Sequence, residues 1–337
     1  MANINNVAKE AGVSTATVSR VINNKKYVAT KTREKIMSVI EKLDYKPLYS
    51  AINLATKRTG NIGFIVWGEH FSEIEKFYSQ IFLGMEYSAR DSDYYILLTT
   101  VKEKFNPKED LPRFLKYKDV DGVALAGRVP TSLIEYLENQ GIPFILIDYS
   151  IPNKVCNSVV MDNYNGAFQA VDQIVKSGKK NIGFIGGSYF HPSVKDRYRG
   201  YKDNLKFNGL GDSEYFDKFS FLKNVETSPE IGIQGVKHLL SQNVGLDAIF
   251  CCNDTTAMGA LSELKKYNIK VPKEVSVVGF DDITLSSFCT PSLSTVRVPK
   301  LEIGKESYRL LTEIIANPDS TPQTSIIDVE YIQRRSS

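Results

Sequence analysis

The chain has 337 residues, 42 % of them hydrophobic, which is enough for more than one domain with ordinary cores. No apolar run reaches the roughly 18 residues of a membrane span, and the polar N-terminus does not read as a signal peptide, so a cytoplasmic protein with no membrane partner is expected. The net charge of +3 hides a segregation: residues 1–60 carry 11 Lys/Arg against 4 Asp/Glu, the rest 31 against 35. A basic first segment suits contact with phosphates, and an evenly solvated surface would not divide charge this way. Cys156, Cys251, Cys252 and Cys289 lack metal-ligand spacing and read as buried thiols, so neither a metal nor a cofactor is expected.

In chain order, Ile4, Val7, Ala8 and Ala11 form one helical stripe, and Gly12 breaks it where left-handed dihedrals are tolerated. Ser14 offers an N-cap hydroxyl for a second helix with Val18, Val21 and Ile22 inward. Its other face shows Thr15, Ala16, Thr17, Ser19, Arg20 and Asn23: small or polar side chains with one long donor, as a helix entering a major groove requires. A third helix is predicted after Thr30 as cap, with Ile36, Val39, Ile40 and Leu43 inward and Arg33, Glu34 and Lys35 outward. Pro47 ends it. Residues 48–56 are helix-compatible, but isolated helices below about 12–15 residues are marginal, so this piece needs something to dock it.

From residue 61 the pattern alternates strand and helix. Predicted strands are Ile62–Val66, Tyr95–Thr99, Gly122–Ala126 and Phe144–Ile147, then Ile182–Gly186, Lys218–Phe221, Ala248–Cys252 and Val275–Phe280. The halves echo each other: Asn61-Ile62-Gly63-Phe64-Ile65 returns as Asn181-Ile182-Gly183-Phe184-Ile185, Val120-Asp121-Gly122 as Leu246-Asp247-Ala248, and Ile147-Asp148 as Phe280-Asp281. A repeat of about 120–130 residues implies two similar lobes, and ligands of open parallel sheets bind beyond the strand C-termini, so a cleft between lobes is expected. Asp148, Arg197, Asn253 and Asp281 lie at such ends. Carboxylates, an amide and a guanidinium beside an aromatic wall suit a polyol, with Tyr78, and less directly Trp67 and His70, offering the wall. The bland alternative for each aspartate is a helix N-cap; for His191 an ordinary structural role is equally open.

The string Val7-Ala8-Lys9-Glu10-Ala11-Gly12-Val13-Ser14-Thr15-Ala16-Thr17-Val18-Ser19-Arg20-Val21-Ile22-Asn23, followed by Val28–Ile36 and Leu43-Asp44-Tyr45-Lys46-Pro47, resembles the DNA-binding headpiece of the lactose-repressor (LacI/GalR) family. In the core, Val160–Ala167, Asp196-Arg197-Tyr198-Arg199-Gly200, Cys252–Gly259 and Val275–Asp282 continue the likeness. The resemblance implies an all-α three-helix helix-turn-helix headpiece (1–47), a hinge helix and linker (48–59), and an α/β core of two parallel-sheet lobes (60–337) like periplasmic sugar-binding proteins. The first lobe would comprise about 60–160 and 294–324, the second about 161–293 and 325–332, with crossings near Val160, Leu293 and Ser325. Thr15 and Ala16 would face base edges, Arg20 would reach a guanine or else make a surface ion pair, and Ser14, Thr17, Ser19, Asn23 and Thr32 would meet phosphates. In the hinge, Ala51 would lie against DNA and Leu54 would wedge a central base step or else pack on its dimer mate. The hinge departs from the family pattern, with Leu48 and Ile52 where the family commonly has Asn and Arg.

The implied function is a sequence-specific transcriptional repressor of carbohydrate-utilisation genes. As a homodimer it would bind near-palindromic double-stranded operator DNA and be released by a sugar or sugar phosphate at Tyr78, Asp148, Arg197, Asn253 and Asp281. The chain stops after its last predicted strand without an added heptad helix, hence dimer rather than tetramer. The alternative is a catabolite-type regulator controlled by a protein corepressor. An enzyme is not expected: there is no G-x-S-x-G elbow or Walker lysine motif, and Gly183–Gly187 resembles a dinucleotide loop only loosely.

Overall fold

A computed structural model describes residues 2–22, 27–45, 58–68, 77–92, 94–151, 154–243 and 245–337. The expectations for Asn23, Leu48, Ala51, Ile52, Leu54 and His70, and for a hinge helix, fall outside these residues. The chain divides into two compact units, Met1–Gly60 and Asn61–Ser337.

The first unit holds α1 (Ile4–Ala11), α2 (Thr15–Ile22) and α3 (Thr30–Lys42). Asn3 and Asn6 exchange side-chain and backbone bonds at the start of α1, satisfying two donors that a helix end leaves open. Gly12 closes the helix at φ 64°, a conformation that costs other residues a Cβ clash. Ser14 Oγ accepts from Thr17 N at 3.2 Å, the expected cap. Val7, Ala8, Ala11, Val18, Val21, Ile36 and Val39 are buried together. Two local readings are corrected. Thr30 is the first residue of α3 rather than its cap, and Ala29 in the cap position makes no side-chain bond. Arg33 does not simply face outward: it is half-buried and donates to Val21 O at 3.3 Å, using a guanidinium to satisfy a C-terminal carbonyl of α2.

The second unit begins with β1 (Asn61–Trp67), α4 (Phe77–Arg90), β2 (Tyr95–Val101), α5 (Arg113–Lys116), β3 (Gly122–Ala126), α6 (Thr131–Asn139), β4 (Phe144–Ile147) and β5 (Ser158–Met161). It continues with α7 (Asn163–Lys176), β6 (Ile182–Gly186), α8 (Pro192–Phe207), α9 (Ser213–Phe219), β7 (Ser220–Leu222), α10 (Pro229–Ser241), β8 (Ala248–Cys251), α11 (Asp254–Lys266) and β9 (Ser276–Val278). Then come β10 (Thr295–Arg297), α12 (Lys300–Ala316), β11 (Thr324–Ile327) and β12 (Glu330–Ile332). Two parallel sheets result, β11-β5-β4-β3-β1-β2 and β7-β6-β8-β9, each the heart of one lobe. Strands such as β3 and β8 are buried along their whole length, as helices on both faces demand.

The sequence echo has a structural cause. Asn61 donates to Asp119 O while its carbonyl accepts from Asp121 N. Asn181 donates to Gly245 O while its carbonyl accepts from Asp247 N. In each lobe the repeated asparagine ties the foot of the first strand to the foot of its neighbour.

The expected strand Lys218–Phe221 is displaced. Asp212 caps a short helix by accepting from Tyr215 N at 2.8 Å, and Phe216 and Phe219 bury on its inner side, so the strand starts only at Ser220. The last crossing is also later than Ser325: β11 runs to Ile327 beside β5 in the first sheet. The chain then passes to β12, antiparallel to β10, and its end joins the second lobe, where Val277 N donates to Ser336 O at 2.7 Å.

Candidate functional site

In the headpiece, Thr15, Ala16 and Arg20 are exposed on α2, Thr17 and Ser19 are half-buried, and Val18 and Val21 face the core. The Ser14 and Thr17 hydroxyls lie 2.9 Å apart, so both also serve the helix start. Thr32 is half-buried on α3. The arrangement leaves a short exposed ridge with one long cationic side chain, the form a major groove accommodates.

In the core, a cavity of about 300 Å³ opens between the lobes. Tyr78, Asp148, Arg197, Asn253 and Asp281 all line it. Asp148 follows β4 at φ 55° and Asp281 follows β9 at φ 105°, both in the left-handed region, where a non-glycine residue costs about 1–3 kcal/mol and is held by its surroundings. Neither aspartate caps a helix. Asp148 instead accepts from Tyr78 Oη at 2.9 Å, within its own lobe, and from Ser193 Oγ at 2.8 Å, from the other lobe. Asn253 does cap α11, accepting from Thr256 N at 2.9 Å, yet its amide also donates to Thr227 at 2.9 Å across the cavity wall.

Arg197 is the hub. It is 5 % exposed, and its Nε donates to Asn163 Oδ1 at 2.8 Å, its Nη1 to Cys252 O at 2.6 Å and its Nη2 to Met161 Sδ at 3.6 Å. The guanidinium lies 3.7 Å from the centre of the Phe280 ring, a cation–π contact. Nη2 also pairs with Asp281 Oδ1 at 3.1 Å. That approach is an ion pair without hydrogen-bond alignment, so Asp281 Oδ1 is buried with no donor among the described residues.

Burial pushes the Asp281 carboxyl up to about 6, even though Arg197 and Lys300 pull it down. Lys300, at the start of α12 in the first lobe, is buried with its own pKa lowered by that burial, and donates to the carbonyls of Asp281, Asp282 and Val298. It thereby holds the Asp281–Asp282 turn of the second lobe from below. Asp254, wholly buried behind the cavity, is raised well above the usual carboxylate range by desolvation and is bonded by Thr295 Oγ1 and Ile283 N.

Trp67 is not brought to this cavity. It lines a separate one of about 440 Å³ with Phe105, Arg128 and Tyr149 at the C-terminal edge of the first sheet. His191 does line the Tyr78 cavity, and its ring nitrogen also accepts from Ser193 N at the start of α8. Sequence reasoning missed Phe77, Asn163, Ser193 and Thr227. Ser193 carried a usable signal: it stands four residues before Arg197, on the same helix face. Asn163 and Thr227 carried none, because only the meeting of separate loops places them.

Residues 3–47 match the family described as bacterial regulatory proteins, lacI family, and residues 171–337 match a periplasmic binding protein-like domain. The chain is 34 % identical to the HTH-type transcriptional regulator RegA of Clostridium acetobutylicum, over 99 % of both proteins. It is 27 % identical to the ribose operon repressor of Haemophilus influenzae, over 100 % of this chain and 98 % of that one. Among solved structures, the transcriptional regulator CelR–cellobiose complex superposes with a TM-score of 0.75 at 27 % identity, covering 100 % of each chain. No helix among the described residues is long and apolar enough to cross a membrane. With an exposed ridge on a basic three-helix unit followed in the chain by a two-lobed core, the chain belongs to the lacI family of bacterial regulatory proteins and is a DNA-binding transcriptional regulator.

Proposed function

We propose that this regulator is a cytoplasmic homodimeric repressor of carbohydrate-utilisation genes, released from a near-palindromic operator by a sugar or sugar phosphate bound in the core cavity. The observation that carries the effector reading is Asp281 Oδ1. A buried carboxylate oxygen without a donor costs free energy, and a ligand hydroxyl would supply a bond to it. Tyr78, Asp148, Arg197 and Asn253 complete a ring of donors and acceptors suited to vicinal hydroxyls. The cavity draws walls from both lobes, so a ligand binds the closed and open arrangements with different affinity. By linkage, the factor by which the ligand changes operator affinity equals the factor by which operator DNA changes ligand affinity.

On DNA, Thr15, Ala16 and Arg20 would read base edges, while Ser14, Thr17, Ser19, Asn23 and Thr32 would contact phosphates. Ala51 and Leu54 would meet the minor groove between half-sites, with Leu54 unstacking the central step. The basic charge of residues 1–60 supports this division. The test is selection of bound sites from a random duplex pool, followed by release of the complex with a panel of sugars and sugar phosphates. Enrichment of a two-fold symmetric site and release by one of the panel is the expected result. A pool that converges on no symmetric site, or a complex that no compound of the panel dissociates, overturns the proposal.

A further inference from the structure

We infer that the core cavity selects an uncharged polyhydroxylated ligand and excludes phosphorylated or carboxylated ones. This rests on the effector reading above and narrows it.

Charge is the first ground. Among the described lining residues, Asp148, Glu226 and Asp281 bring three carboxylates against one guanidinium, Arg197. An anion entering would meet carboxylates on both lobes, and the desolvated interior weakens screening between like charges.

The second ground is that, among the described residues, Arg197 in the lining and Lys300 behind it are already committed. All three nitrogens of Arg197 are engaged, with Asn163, Cys252 and Met161 as acceptors and Asp281 as ion-pair partner, and one face of the guanidinium is covered by Phe280. Its fork therefore does not present the open pair of N–H groups that grips a phosphate. Lys300 lies beneath Asp281 and spends its ammonium on three backbone carbonyls.

Thirdly, two of the helix ends at the cavity are already capped: Asn253 Oδ1 accepts from Thr256 N at the start of α11, and the start of α8 is also occupied. The start of α8 faces the cavity through Ser193, and a helix N-terminus favours negative charge. There Ser193 N is bonded by the His191 ring, and Ser193 Oγ donates to Asp148 Oδ1.

The fourth ground is what the site lacks. Asp281 Oδ1 needs a donor. A hydroxyl donates, whereas an ionised phosphate or carboxylate only accepts. The donor required is thus a ligand hydroxyl, which makes the ligand a polyol, while the exclusion of anions rests on the charge of the lining. A volume of about 300 Å³ stands at the lower end of the roughly 300–1,000 Å³ of small-molecule sites, which suits one or two sugar rings.

Two measurements on the full chain test this. Thermal shift is recorded with matched pairs: glucose and glucose 6-phosphate, ribose and ribose 5-phosphate, gluconate beside glucose, and cellobiose as a neutral disaccharide. The expected result is saturable stabilisation by a neutral compound, with its charged counterpart at least about tenfold weaker. A charged member that binds as well as or better than its neutral partner overturns the inference. Inorganic phosphate is titrated separately at constant ionic strength. No saturable shift is expected; a saturable shift that Arg197→Gln abolishes overturns anion exclusion, whatever sugars do. If phosphate is inert and no member of any pair binds, the sugar reading of the site fails while anion exclusion is upheld.

Discussion

Asp281 offers a prediction in which the sign and size both follow from the structure. Its carboxyl is raised from 3.8 to about 6, with burial as the main cause and Arg197, Lys300 and Asp148 the charged groups that modify it. The folded core therefore holds a proton that the unfolded chain has released at the same pH. A raised carboxylate pKa contributes stability that is complete below the unfolded value and lost as pH rises through the folded value. Across the whole interval the contribution is about 3 kcal/mol. Between about pH 5 and about pH 7.5 the linkage integral gives about 1.4 kcal/mol, because the folded group loses most of its proton there and the unfolded group has already lost it. Asp281→Asn removes the titration while keeping size and shape. Wild type should gain about 1.4 kcal/mol relative to Asp281→Asn on going from about pH 7.5 to about pH 5. Urea unfolding followed by tryptophan fluorescence is the assay, because Trp67 is the single tryptophan and sits at the end of β1, inside the core unit. Taking the difference between the two proteins cancels the titrating groups that do not interact with Asp281. Parallel stability profiles, or a difference of opposite sign, would refute the burial argument.

Three further outcomes are expected. Arg20→Ala should weaken operator binding by about 1–3 kcal/mol and leave non-specific DNA binding almost unchanged, as read by competition gel shift; equal losses on both DNAs would remove Arg20 from base readout. Arg197→Met should destabilise the core by about 3–5 kcal/mol in urea unfolding, since it strips the buried Asp281 of a counter-ion and Asn163 and Cys252 of their donor; a loss below about 1 kcal/mol would show that the hub does not hold the site. Gly304→Ala should cost about 1–3 kcal/mol, because an added Cβ would stand 2.1 Å from Ile81 O where α12 crosses α4; an unchanged urea midpoint would mean that the helices separate freely.

The headpiece was legible from its string because its contacts are local. The Ser14 cap, the Gly12 turn and the buried stripes all lie within a few residues of each other, so periodicity and capping chemistry state them directly. Of the two readings that failed there, Arg33 was decided by a carbonyl of the neighbouring helix, while α3 starts at Thr30 itself with Ala29 in the cap position.

In the core, the duplicated asparagine motif and the apolar strands declared two parallel-sheet lobes, and the position of aspartates after strands pointed to a cleft. What an aspartate does after a strand was not in the string. Asp148 and Asp281 stand in equivalent places and might equally have capped helices; only tertiary contact turns one toward Ser193 and leaves an oxygen of the other without a donor. Trp67 misled because aromatic character is visible in sequence and the cavity it faces is not.

The sequence by itself determined the division of charge, the three-helix reader of DNA and the repeated α/β architecture, since each depends on spacing along one segment. Tertiary structure alone decided the bonding inside the core cavity. Arg197 gathers acceptors from positions 161, 163, 252 and 281, and Lys300 reaches back to the turn at Asp281 from the next crossing strand's helix. The protonation and bonding of such groups follow from desolvation and from groups distant in the chain, since Arg197 and Asp148 stand 84 and 133 residues from Asp281, and a linear pattern does not encode those distances.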